Sequence, residues 1–228
     1  MLKKYFKQWN LFEKLFTLTA VVSMIIFAVI WKSWWVELTA SVLSIIWIML
    51  IAKGKVEGYV VGFLATILYA WVSVFYRYYG ELLISIFITT PLNVYGFIQW
   101  VNNRRQDKKL GKVVVVGGVQ KKELVILLSS QLILSVGYYF LLKVFNTEFL
   151  LVSTISICTS TIGTYLLLRR SDHSWIAWIL NAIIQVVLWT YILIVFGLSS
   201  FVMFWFALLS LLNNVYGYIS WIKLKKSQ

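Results

Sequence analysis

The sequence has one cysteine, one proline and one histidine in 228 residues. The lone Cys158 cannot close an internal disulfide or build a thiolate metal site. The lone His173 sits at the edge of an apolar run, where a solvated interfacial role suits it better than catalysis. No H-E-x-x-H, G-x-S-x-G or P-loop phrase occurs. Neither an enzyme nor a bound metal or cofactor is therefore expected. Charge is scarce too. Charged residues make up 13% of the chain, against roughly 25% in an ordinary soluble domain. From Ser174 to Ile222 there is no charged residue over 49 positions. The first apolar run is too long for a secretory h-region and no A-x-A-like site follows it, so no cleavable signal peptide is expected.

Apolar residues fill the space the charges leave: 61% of the chain, with a mean hydropathy of +0.85. Such a chain belongs in a bilayer, where helices satisfy their own backbone. A spanning helix takes about 20 apolar residues. Seven runs meet that length: Leu15 to Trp31, Trp34 to Ala52, Gly58 to Tyr76, Leu82 to Asn102, Leu124 to Leu142, Phe149 to Leu168, and Ser174 to Ile222. As one helix the last would be about 74 Å long at roughly 1.5 Å per residue, more than twice the bilayer core. It must turn once, at Phe196-Gly197-Leu198-Ser199-Ser200. The expected fold is an all-α integral membrane protein of eight transmembrane helices.

A net charge of +13 first suggests nucleic acid. The distribution argues otherwise. With the N-terminus inside, segments 1–14, 53–57, 103–123, 169–173 and 223–228 are cytoplasmic and hold 18 of the 21 Lys and Arg. Lys32, Arg77 and Lys143 fall outside, with Glu37, Glu81 and Glu148 beside them. That asymmetry orients a membrane protein, so the expected partner is the lipid bilayer and not nucleic acid. With those acids outside, the spans hold essentially no charge. This speaks against strong ion coupling and for downhill transport. The 103–122 stretch, with its Val113 to Val116 run, reads as a solvated connector.

One phrase is written twice. NVYGFIQW at 93–100 and NVYGYISW at 214–221 agree at six of eight positions. They end the fourth and eighth spans, which run in the same direction. Two parallel three-helix repeats are expected, with one linking helix between them and one extra helix in front. The boundaries are 1–33 for the basic segment and extra helix, 34–102 for the first repeat, 103–145 for the loop and linker helix, and 146–228 for the second repeat and basic tail. Parallel repeats around a central site are a transporter arrangement. Pro91 has no proline counterpart in the second repeat, so the halves should bend differently.

Candidate binding residues are neutral. Trp178, Asn181 and Gln185 share one helix face by their spacing, with Trp175 and Trp189 near its ends. Asn93 and Asn214 come from the repeated phrase, and Tyr69, Thr66, Thr89, Thr90 and Gln131 from other spans. An indole beside two amides can stack a flat ring, attract a cation over its face and hydrogen-bond a carboxamide or ribose. The substrate-binding set is placed on Trp178, Asn181, Gln185, Asn93, Asn214, Thr89 and Tyr69. Interhelical polar packing is the competing reading of the same residues. No Lys or Arg is available to such a pocket, which disfavours a phosphorylated solute.

These residues also carry a family resemblance. The Trp35–Glu37 pair in WWVELTASVLSI, the first-half YG ending before Trp100, and the Trp175, Trp178 and Asn181 series in HSWIAWILNAIIQVVLWTYI resemble the PnuC family of nicotinamide riboside transporters, in order, from Trp34 to the C-terminus. The resemblance implies a SWEET-like 3-1-3 fold in the cell membrane, often a homotrimer. It also implies inward facilitated diffusion of the vitamin, with a cytoplasmic kinase trapping it. Trp178 and Asn181 fall on family positions that line the substrate site. Ile86 and Thr89 stand where many members have Gln and Tyr, and Asn213-Asn214 where many are more apolar. Thiamine or another vitamin or nucleoside stays open as the solute, and a membrane receptor or scaffold as the different class.

Overall fold

The computed structural model describes residues 8–107 and 110–228. Lys3, Lys4, Lys7, Lys108 and Lys109, counted above among the cytoplasmic bases, lie outside the described residues. The long helices are α1 (Leu11–Ile30), α2 (Trp35–Ala52), α3 (Glu57–Phe75), α6 (Lys121–Val144), α7 (Leu150–Leu168), α8 (Ser174–Phe196) and α9 (Phe201–Lys226). Between α3 and α6 one further span, Tyr79–Asn102, is built from a short α4 (Tyr79–Leu83), a π-helical segment (Ile84–Thr89) and α5 (Thr90–Asn102). Among the described residues, eight helices are long and apolar enough to cross a membrane. The last apolar run breaks where expected: α8 ends at Phe196, Gly197 takes a φ of +78°, and a 3-10 turn over Leu198–Ser200 leads into α9.

The all-α expectation needs one amendment. The segment read as a solvated connector contains an antiparallel hairpin, β1 (Arg104–Asp107) paired with β2 (Gly111–Val114), Arg104 opposite Val114. Val113 and Val114 are fully buried, and the Val114 N–H donates to the Gly54 carbonyl at 2.9 Å. Four consecutive valines are too short to span but well suited to a strand.

The expected placement of two acids is also corrected. Glu37 and Glu81 do not stand outside beside the external bases; they are 1% and 4% exposed. Glu37 Oε1 accepts the Tyr76 hydroxyl proton at 2.5 Å, and Glu81 Oε1 that of Ser156 at 2.5 Å. Each hydroxyl comes from another span, so proximity in sequence to Lys32 or Arg77 was a poor guide. The argument against ion coupling from acid-free spans loses its footing with them. Lys53 and Lys55, two of the counted inner bases, are buried as well. Lys53 Nζ binds Glu13 at 2.5 Å and the Gln8 carbonyl at 2.9 Å, which ties the start of α1 to the α2–α3 turn. Burial pushes the Lys53 ammonium below the ordinary lysine range, while the hydrogen bond and charge of Glu13 hold it up.

The turns after α2 and α7 match bond for bond. Gly54 N–H donates to the Ile51 carbonyl and Lys55 N–H to that of Leu50; Arg170 N–H donates to Leu167 and Ser171 N–H to Leu166. Each pair is 116 residues apart, as 54 and 170. Gly54 and Arg170 share a left-handed φ, +67° and +59°. The repeated phrase finds its physical role here. Gly96 lies so close to Tyr59 that a Cβ would fall 2.6 Å from the ring, and Gly217 lies equally tight against Trp175. Residues 59 and 175 are again 116 apart. The closing tryptophans cross over. Trp100 Nε1 donates to the Leu167 carbonyl at 3.2 Å, and Trp221 Nε1 to the Ile51 carbonyl at 3.0 Å. Both indoles are fully buried and meet with centroids 5.6 Å apart.

The two spans differ in helix type where Pro91 stands. Pro91 has no N–H to donate and its ring crowds the carbonyl four residues back. The π segment lies just ahead of it, and the Thr90 N–H and Oγ1 both reach the Ser85 carbonyl, Oγ1 at 2.7 Å. The corresponding α9 is one uninterrupted 26-residue helix.

Gly217→Ala should destabilise the protein by about 1–3 kcal/mol through overpacking against Trp175. Gly137→Ala, in α6 where an added Cβ meets nothing within 4 Å, should be neutral or stabilising by about 0.5–1 kcal/mol. Thermal melting in detergent checks the opposite signs.

Candidate functional site

One cavity of about 920 Å³, its open mouth included, lies among α2, α3, the Tyr79–Asn102 span, α7, α8 and α9. Neither α1 nor α6 lines it. Six of the seven expected substrate-binding residues line this space: Trp178, Asn181, Gln185, Asn214, Thr89 and Tyr69. Asn93 does not. It is buried behind the wall and donates to Thr66 Oγ1 at 3.4 Å, and Thr66 is the residue that faces the space. Of the flanking tryptophans, Trp175 reaches the cavity, whereas Trp189 packs in the core against Tyr69, Tyr76 and Tyr78. Gln131 and Thr90 do not line it.

The amides are already engaged. Asn181 Nδ2 lies within hydrogen-bond reach of Ser160 Oγ at 2.8 Å, Thr159 Oγ1 at 3.1 Å, and Ser156 O and Oγ at 3.3 Å. All are on α7, so Asn181 helps hold α8 against α7. Among the described residues its Oδ1 accepts no hydrogen bond and is left for a ligand or water. Gln185 receives the Tyr69 hydroxyl proton on Oε1 at 3.1 Å and donates through Nε2 to Ser156 Oγ at 3.2 Å. Ser156 in turn donates to Glu81. Tyr69, Gln185, Asn181, Ser156 and Glu81 form one polar network through three spans and α7. Asn214 Nδ2 donates to the Trp178 carbonyl at 3.1 Å, fixing α8 to α9.

Several lining residues were missed in the sequence. Trp47 lies on Gly62 as Trp178 lies on Gly163: a Cβ on either glycine would sit 2.6 Å or 3.0 Å from the indole. Positions 47 and 163 are 116 apart, and so are 62 and 178. The same contact is thus made in both halves with its partners exchanged, and each half contributes an indole to the cavity. The common offset would have revealed it. The Trp47 Nε1–H is buried and has no acceptor among the described residues. Ser44, Ser85, Ser160 and Ser210 add hydroxyls. Glu81 is the single ionisable acid or base among the lining side chains apart from Tyr69. No lining residue is Lys, Arg or His, and no group of acids, Cys or His among the described residues could hold a metal ion.

Comparison with known proteins agrees with a carrier. The sequence model described as nicotinamide mononucleotide transporter matches residues 33–223. The chain is 25% identical to the nicotinamide riboside transporter PnuC of Neisseria mucosa, over 98% of its own length and 86% of that protein. It is 20% identical to the nicotinamide riboside transporter PnuC of Haemophilus influenzae, over 98% and 95%. A crystal structure of the vitamin B3 transporter PnuC superposes with a TM-score of 0.88 over 98% of both chains at 23% identity, which shows a shared fold.

Ser156→Ala removes the hydroxyl on which Glu81, Asn181 and Gln185 converge. It should cost about 1–3 kcal/mol, the penalty for leaving buried polar groups without a partner, read as a lowered melting temperature of the purified protein.

Proposed function

The chain belongs to the nicotinamide mononucleotide transporter family, and on that premise we propose that it carries nicotinamide riboside across the cell membrane by facilitated diffusion. The observation that carries the choice of solute is the cavity wall. It offers three indoles and three amides to a flat ring and its carboxamide, yet among the described residues no Lys or Arg for a phosphate. A mononucleotide would bring its phosphate against the Glu81 carboxylate with no cation to offset it. The dephosphorylated riboside, with its cationic ring, meets no such obstacle. In this reading Trp178 stacks the pyridinium ring. The Asn181 and Gln185 amides and the Tyr69 and Thr89 hydroxyls hydrogen-bond the carboxamide and ribose. Asn214 faces the solute from α9, and Asn93 positions the wall from behind through Thr66.

The wider arrangement follows the same proposal. Residues 34–102 and 146–228 act as parallel three-helix repeats joined by α6, a SWEET-like 3-1-3 order, with residues 1–33 as an addition in front. The matching turn bonds and crossed tryptophan bonds support this reading. Both termini face the cytoplasm, as the basic residues suggest, and the working unit is a homotrimer, as the resemblance implies. A cytoplasmic kinase that phosphorylates the riboside would prevent its return, since the cavity has no cation for the product. No receptor or scaffold needs an indole-and-amide cavity, and none of these observations favours one.

Liposomes containing the purified chain and loaded with unlabelled nicotinamide riboside should take up the labelled compound by exchange without any ion gradient. Uptake no greater than in empty liposomes would contradict the reading, and competition by thiamine alone would move it to another vitamin. Trp178→Ala should weaken binding tenfold or more with the melting temperature largely kept; an unchanged affinity removes Trp178 from the site.

A further inference from the structure

Glu81 is the one carboxylate facing the cavity, and its surroundings do not neutralise it. It is 4% exposed. Its Oε1 takes the Ser156 hydroxyl proton, and Gln185 lies beside it. Among the described residues no ion pair reaches it: the three salt bridges join Lys53 to Glu13, Arg169 to Glu123 and Lys225 to Asp172. A carboxylate out of water is costly unless a cation or metal accompanies it. Among the described residues no Lys, Arg or His faces the cavity, so the acid there either holds a proton or is met by a cation from outside the chain.

We propose that Glu81 is a specificity-determining residue of the transport site, supplying the negative charge that selects a cationic ring over an uncharged one of the same shape. The proposal rests on the transport reading above and adds to it a residue that the aromatic and amide contacts do not supply. Stacking on an indole favours any flat ring, and amides hydrogen-bond a carboxamide whatever the charge on the ring. The indole face adds a modest preference for a cation, and a fixed negative charge separates a pyridinium from its neutral dihydropyridine much more sharply. Glu81 is held for that task through Ser156, which also receives the Asn181 and Gln185 amides. The acid is therefore tied to the residues that orient the ring. A merely structural Glu81 would hold the α7 network equally for any ligand.

The test compares the full chain with Glu81→Gln, which keeps the shape and an oxygen to accept the Ser156 proton. Binding to purified protein is measured by calorimetry for nicotinamide riboside, its uncharged 1,4-dihydro form, and thiamine as a second flat cation. Glu81→Gln should weaken nicotinamide riboside tenfold or more while changing the dihydro form by less than about threefold. An equal loss for both forms, or no loss for the cation, overturns the proposal and leaves the nicotinamide riboside reading standing. Binding of thiamine alone, with the same tenfold loss in the variant, keeps the role of Glu81 and overturns the choice of vitamin. A wild-type protein that binds neither cation overturns both. Should Glu81→Gln fail to fold, Ser156→Thr keeps the hydroxyl with one added methyl group and shifts the carboxylate. A selective loss of the cation in that variant supports the role, and an equal loss counts against it.

Discussion

A fully buried indole N–H that finds an acceptor pins its helix to the one that supplies it, because little else in an apolar interior will take its proton. Trp100 and Trp221 find theirs across the molecule. Each carbonyl they reach, Leu167 and Ile51, already accepts the N–H of its own turn and uses its second lone pair for the indole. The acceptor exists only where a first helix of the opposite set ends. The two rings meet tilted at 46° at the same place, with Tyr59 and Trp175 packed edge-on behind them and lying on Gly96 and Gly217. The ends of α2, α5, α7 and α9 are therefore joined by bonds that no one of these helices makes alone. This end also holds the buried Lys53–Glu13 pair and the hairpin, which add bonds at the same level.

The cavity lies where that joint leaves the helices apart, and its chemistry divides between the halves. Trp47 on α2 and Trp175 and Trp178 on α8 each lie on a glycine. The second half adds the amides, and the first adds the acid. Serine hydroxyls on α7 connect them. Such hydroxyls cost little in a helix because they can also return a bond to their own backbone. They let α7 supply polar contacts without charge. Ser85 and Thr89, four residues apart in the π segment beside Glu81, stand on the same wall, as that spacing allows on one helix face.

Much of this was legible before any coordinates. Uninterrupted apolar length marked the eight spans, because a bilayer imposes length and composition directly. The NVYG phrase marked the matching ends, because a glycine beneath an aromatic ring leaves little choice of residue. The Trp178, Asn181, Gln185 stripe could be read because 3.6 residues per turn puts spacings of three and four on one face. What could not be read depended on which helix faces which. Glu37 and Glu81 sit near charged turns in sequence but turn inward to hydroxyls on other spans. Trp47 was flagged by nothing beside it in sequence, and only the offset of 116, which sets Trp47 and Gly62 against Gly163 and Trp178, relates the two indoles. The buried hairpin pairs two of the valines with Arg104–Asp107, a strand of polar residues that carries no apolar signal of its own.

The central claim is that the space between the two sets of helices is where the solute binds, ring on indole and charge toward acid. A structure of the protein with nicotinamide riboside bound tests it most directly. The account expects the pyridinium ring stacked on Trp178 within the cavity, with its charged nitrogen on the side of Glu81. Density for the solute outside this cavity, or inside it with the ring turned away from both residues, would contradict the account.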